Sequence, residues 1–172
     1  PLLPYTAAIN RVHIEVEAAP MHRHWLEVQP QDYDRNVRTD FLTGSVLPAQ
    51  IYYKAQRIRE LERREVLQAL ESVDILALVG SSEPAPLITA ESGIFSKEEA
   101  IARMSGRRSL NGCFNLASVP AITIPCGFLM STGTPMPIGL QLAGRPFSEE
   151  LLLNVAYAYE QSTSWHTRRP PI

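Results

Sequence analysis

The order of apolar and polar positions predicts a helical first half followed by a strand-rich last third. From Pro48 to Leu70, the residues Ile51, Ala55, Ile58, Leu61, Val66, Ala69 and Leu70 approximate one helix face. Arg57, Arg59, Arg63 and Arg64 alternate with Glu60, Glu62 and Glu65 on the other faces. Pro48 fits the first turn, where its missing N–H costs nothing. After Ser72, Val73 and Asp74 the pattern switches to Ile75, Leu76, Ala77, Leu78 and Val79, a continuous apolar run expected of a strand covered on both faces. Upstream, residues 12–29 mix signals: Val12, Ile14 and Val16 alternate like a strand, whereas Met21 to Leu26 reads as helix and Pro20 argues for a break. Gln29 to Asp40 is polar and reads as a loop with a short helix.

Further along, Ser81 to Gly93 is loop-like, and Ser96 with Glu99 forms a capping box opening a helix to about Met104. Gly106 interrupts it before Leu110 to Leu116. Ala121 to Phe128 and Ile138 to Leu142 are two apolar runs separated by the turn formers of residues 129–136. A closing helix is expected from about Ser148 to Ser162, burying Leu151, Leu152, Val155, Ala156 and Tyr159. Helix, buried strand, helix, strand pair and helix in this order predict an α/β fold, a sheet with helices packed on it.

Composition excludes more than it assigns. The 172 residues are 45% hydrophobic and 20% charged, ordinary values for a globular chain. A formal net charge of −2 gives no field that would favour nucleic acid or an anionic membrane. No apolar run approaches the roughly 20 residues of a membrane helix. Cys113 and Cys126 are too few for a disulfide framework or a closed zinc site, and read as reduced thiols in a cytoplasmic protein.

Four groups of residues could carry chemistry, and each has a plainer reading. Ser81 and Ser82 invite a nucleophile, but a catalytic serine needs a base and oxyanion donors, and a loop role is the simpler one. Cys113 or Cys126 could pair with His13, His22, His24 or His166, but nothing in the spacing supplies the cation or helix N-terminus that lowers a thiol pKa. His22 and His24, two apart, diverge by about 200° on a helix and lack a third ligand. Arg107 and Arg108 suit a carboxylate or phosphate, or else form a solvent-facing pair.

The last third carries a specific ordered pattern. It runs Asn115-Leu-Ala-Ser-Val-Pro-Ala121, then Pro125-Cys-Gly-Phe128, then Pro137-Ile-Gly-Leu-Gln-Leu-Ala-Gly-Arg-Pro-Phe147. This resembles the C-terminal end of the amidase-signature enzymes, amide and ester hydrolases that include the A subunit of the tRNA-dependent amidotransferases. The resemblance extends over about residues 12–172 and favours helix across most of residues 12–29. It implies a mixed β-sheet flanked by helices on both faces, with residues 1–172 as the C-terminal segment of a single domain. That family carries a nucleophilic Ser, a second Ser in a cis peptide and an upstream Lys on a Gly/Ser-rich segment. No such segment occurs here; Gly80-Ser81-Ser82 is followed by Glu83 and Pro84.

The expectation is therefore a piece of an amide hydrolase that supplies sheet core and part of the substrate pocket, with no catalytic residue of its own. No cofactor or metal is implied. Expected partners are a small amide substrate and either a second copy or the rest of the same polypeptide. The rival readings are a free-standing, non-catalytic binding or assembly module and a fragment of an amidotransferase A subunit. The segment before Asn115 borders the substrate pocket in the family, which makes Arg107, Arg108, Asn111 and Phe114 the candidate substrate-side residues, with Cys113 adjacent. In the amidotransferases, an Asp that holds the amine end of glutamine lies near the place of Arg108. An Arg that holds its carboxylate falls at about Thr39 or Asp40. Both positions depart from that pattern and disfavour a glutamine-handling role.

Overall fold

The computed structural model describes residues 3–81, 83–85, 96, 98, 112–131 and 133–169. In chain order the regular elements are α1 (Thr6–Val28), α2 (Arg35–Val46), α3 (Ala49–Ala69), β1 (Ile75–Val79), α4 (Gly112–Ala117), β2 (Ala121–Ser131), β3 (Thr134–Gly144) and α5 (Glu149–Ser162). Short 3-10 turns precede α1, separate α1 from α2 and follow α5. The fold is α/β, and its backbone separates into two compact units, Pro1–Leu61 with Ile88–Arg108, and Glu62–Leu87 with Ser109–Ile172. The expected capping box and helix at Ser96 to Met104 and the break at Gly106 fall almost wholly outside the described residues.

In the first unit α1 runs unbroken through Pro20, as the family resemblance favoured over the alternating pattern at its start. A proline inside a helix removes one hydrogen bond and crowds the preceding turn. Here packing on both sides of the defect outweighs it. Thr6, Ile9, His13, Glu15 and Ala19 are all buried along the helix. Arg11 pairs with Glu15 on its own helix and with Asp40 on α2. His22 stacks on Phe41 at 4.5 Å and its Nδ1 lies 2.8 Å from the Tyr33 hydroxyl, pinning the intervening turn. The polar stretch expected to be mostly loop becomes a full helix because Asp34 caps it, accepting from the amides of Asn36 (2.7 Å) and Val37 (3.2 Å).

The second unit is a three-stranded antiparallel sheet of order β1-β3-β2. Its strands put Ile75, Ile122, Ile124, Leu140 and Leu142 on one face, packed against Leu152, Val155, Ala156 and Tyr159 of α5. Leu76, Leu78 and Ala143 point to the other face and meet Val66 and Leu70 of α3 with Cys113, Phe114 and Ala117 of α4. Helices thus cover both faces.

Three expectations need correction. β1 meets helices on both faces but is at most half-buried, with Ala77 and Val79 exposed. The strands of the hairpin reach Ser131 and restart at Thr134, so the turn formers of 129–136 mostly belong to strand. On α3 and the residue after it, the buried positions are Ala55, Glu62, Val66 and Leu70, whereas Ile51, Leu61 and Ala69 are exposed. Of the apolar face drawn from sequence, Ala55, Val66 and Leu70 are buried and Ile58 is half-buried.

Candidate functional site

Two features of the second unit bear on chemistry: the anchoring of α4, and a thin region on the α4 side of the sheet. Helix α4 is only six residues long, too short to hold itself. Cys113, Phe114, Leu116 and Ala117 are buried, with Phe114 2% exposed. Its end is closed by a Schellman motif in which Ser118 takes a left-handed φ of 53°. The Ser118 amide donates to Asn115 O (3.2 Å) and the Val119 amide to Phe114 O (3.2 Å). Arg63 reaches from α3 to donate to the carbonyl oxygen of Ala117, satisfying one more terminal group. Arg145 does similar work at the start of β1, donating to Leu70 O (3.1 Å) and Val73 O (3.3 Å).

The thin region lies where β1 ends. The Gly80 amide continues the ladder by donating to Gly139 O at 2.7 Å. A Cβ at Gly139 would meet the Thr123 methyl at 2.6 Å, and one at Gly80 would meet the same methyl at 3.2 Å. The Thr123 methyl therefore fills the space that the two glycines leave on this face. Next to it, in register with Thr123 and Leu78, stands Gln141. This amide is 7% exposed, and its Oε1 has no hydrogen-bond partner among the described residues. An unpaired buried acceptor costs about 1–3 kcal/mol.

Of the residues singled out from sequence, Arg107, Arg108 and Asn111 lie outside the described residues. Phe114 sits in the core cluster under the sheet, at the start of α4. Cys113 is beside it, and burial pushes its thiol pKa up, with the Glu62 carboxylate adding to the shift. That is the opposite of what a nucleophilic thiolate needs. Cys126 is the extra residue of a bulge between Pro125 and Gly127, its Sγ 3.6 Å from Ile138 O. The Ser81 hydroxyl is committed to its own turn, donating to Glu83 O (2.6 Å) and accepting from the Glu83 amide (3.3 Å). His24 is exposed while His22 is held by Tyr33 and Phe41. Among the described residues no group of three or more His, Cys, Asp or Glu could hold a metal, and no helix is long and apolar enough to cross a membrane.

Sequence reasoning passed over the buried amide of Gln141, whose signal was present: a lone amide between Leu140 and Leu142.

Comparison with known proteins identifies the family. The family profile described as Amidase matches residues 6–153. The A subunit of glutamyl-tRNA(Gln) amidotransferase from Synechococcus sp. (strain JA-3-3Ab) is 40% identical over 121 residues, covering 70% of this chain and 22% of that protein. Its counterpart from Chloroflexus aggregans is 35% identical over 167 residues, covering 94% of this chain and 32% of that protein. A solved amidase crystal structure superposes with a TM-score of 0.74 at 28% identity, over 95% of this chain and 36% of that one. The chain thus spans about a fifth to a third of the length of these relatives. It belongs to the amidase family, the amidase-signature enzymes.

Proposed function

We propose that this chain is the C-terminal part of an amidase-signature hydrolase that cleaves carbon–nitrogen amide bonds, and that it furnishes sheet core and one wall of the substrate pocket. The observation that carries the reading is the match of residues 6–153 to the amidase family on a sheet covered by helices on both faces. The family resemblance assigns the chemistry to a Gly/Ser-rich catalytic segment. Its Lys, acting through the cis Ser, deprotonates the nucleophilic Ser. That Ser attacks the amide carbonyl, backbone amides hold the oxyanion, and water releases the acid.

On this chain Arg107, Arg108 and Asn111 border the substrate. Phe114 is a positioning residue, fixing through the core where α4 begins. The modest net charge and two free cysteines fit a cytoplasmic protein completed by the rest of its polypeptide or by a second copy.

The test compares the 172-residue chain with a longer polypeptide that joins it to a Gly/Ser-rich segment preceded by Lys. The chain alone should not turn over aryl or aliphatic amides, and the joined protein should. Turnover by the isolated chain, lost on Cys126→Ala, would replace this reading with thiol catalysis. An inactive but folded joined protein would favour a binding or assembly module.

A further inference from the structure

Helix α1 carries an apolar stripe that its own fold does not use. Ile14, Ala18, Met21, Trp25 and Val28 follow one another at spacings of four, three, four and three residues, the spacing of a coiled-coil seam. Ile14 is 54%, Met21 75%, Trp25 51% and Val28 55% exposed. The buried residues of the same helix, Ile9, His13, Glu15 and Ala19, lie off this stripe. Four large apolar side chains in one exposed row are not what a surface helix needs for solubility, and rows of this kind mark contact sites.

We infer that this stripe pairs with the same stripe of a second copy of the chain, antiparallel, about a two-fold axis between positions 19 and 20. Size and charge select this arrangement. It sets Ile14 against Trp25 of the second copy, and Ala18 against Met21 of the second copy, so that small meets large. It lays Val28 over the aliphatic stem of Arg11 of the second copy, and brings Glu17 beside His24 of the second copy. Moving the register by one heptad puts either Glu17 against Glu17 or His24 against His24. Parallel pairing would set Trp25 on Trp25 next to Ala18 on Ala18, a bulge beside a gap.

Glu17 can serve both sides, since only its Oε1 is engaged, accepting from the Tyr52 hydroxyl at 2.7 Å. Two such faces bury on the order of 1,000 Å² together, the lower bound for a specific interface, which corresponds to a dimer that dissociates on dilution. The inference does not depend on the proposed amidase role.

Sedimentation velocity over a dilution series, with Trp25 emission followed in parallel, tests it. The chain should pass from dimer to monomer, with a red shift of the emission as Trp25 enters water. Met21→Asp, at an exposed position that leaves the monomer's fold and melt intact, should raise the dissociation constant about a hundredfold or more. Glu17→Lys should raise it about tenfold, because two pairs are lost per dimer, and adding His24→Glu should restore it. A chain monomeric at every concentration, or a dimer indifferent to Met21→Asp, would overturn the pairing. A Glu17→Lys defect that His24→Glu fails to repair would overturn the antiparallel register.

Discussion

Alanine at Gly139 is the sharpest probe of the packing across β2 and β3. The added Cβ would meet one atom, the Thr123 methyl at 2.6 Å, and otherwise only Ile124 O at 3.8 Å. Carbon atoms rest about 3.5–4.0 Å apart, so close to an ångström must be recovered. Thr123 cannot supply it freely, because a β-branched residue in a strand is stiff at χ1. Overpacking of this kind costs typically 1–3 kcal/mol, and relief of the glycine's own entropic penalty returns about 0.5–1 kcal/mol. Gly139→Ala should therefore lower stability by about 1–2 kcal/mol. Thr123→Ser deletes the offending methyl, so the double variant should be no less stable than Thr123→Ser alone. The favourable coupling in this cycle should be about 1–2 kcal/mol, read from urea unfolding with an unchanged m-value. Effects that add to within about 0.5 kcal/mol would refute the close packing of the Thr123 methyl over Gly139.

Two further outcomes follow from named contacts. Ser118→Gly, at a left-handed φ of 53° closing α4, should stabilise the chain by roughly 0.5–1 kcal/mol, and a loss of stability in thermal unfolding would contradict the Schellman closure. Glu15 has its pKa raised from the ordinary 4.5 by burial, with the Arg11 pairing opposing the shift. A folded-state pKa above the unfolded one means a stability contribution that is fully present below the unfolded value and lost as pH rises through the folded value. Glu15→Gln, which mimics the protonated side chain, should accordingly gain on the parent chain as pH rises from about 4 through the folded pKa, in paired denaturation curves. A difference that grows toward acid would show that the Arg11 pairing outweighs burial, and one independent of pH that the two balance; either would refute the raised pKa.

The site was legible in part. The ordered residues from Asn115 to Phe147 pointed to the family and to a strand pair beside α4, because turn formers and apolar runs act through local geometry. Phe114 was placed at the right element, but its ring faces the core, since only the packing of α3 and α4 on the sheet determines which way a short helix turns. Gln141 shows the limit more sharply. Its neighbours Leu140 and Leu142 mark a buried strand, yet whether an amide there is satisfied depends on residues far away in sequence.

Sequence by itself determined the elements whose causes are local. The spacing of Val66 and Leu70 and the apolar runs at 121–128 and 138–142 each act within a few residues. It also excluded a membrane helix and a disulfide framework, since those depend on composition alone. Tertiary structure decided the rest. It carried α1 through Pro20 because burial of Ile9, His13 and Ala19 exceeds one lost hydrogen bond, and it paired β1 with β3 because strand order is a long-range choice. It also buried Glu62 and exposed Leu61 on the same helix, because helix propensity does not set which face meets the core, and the partner surface does.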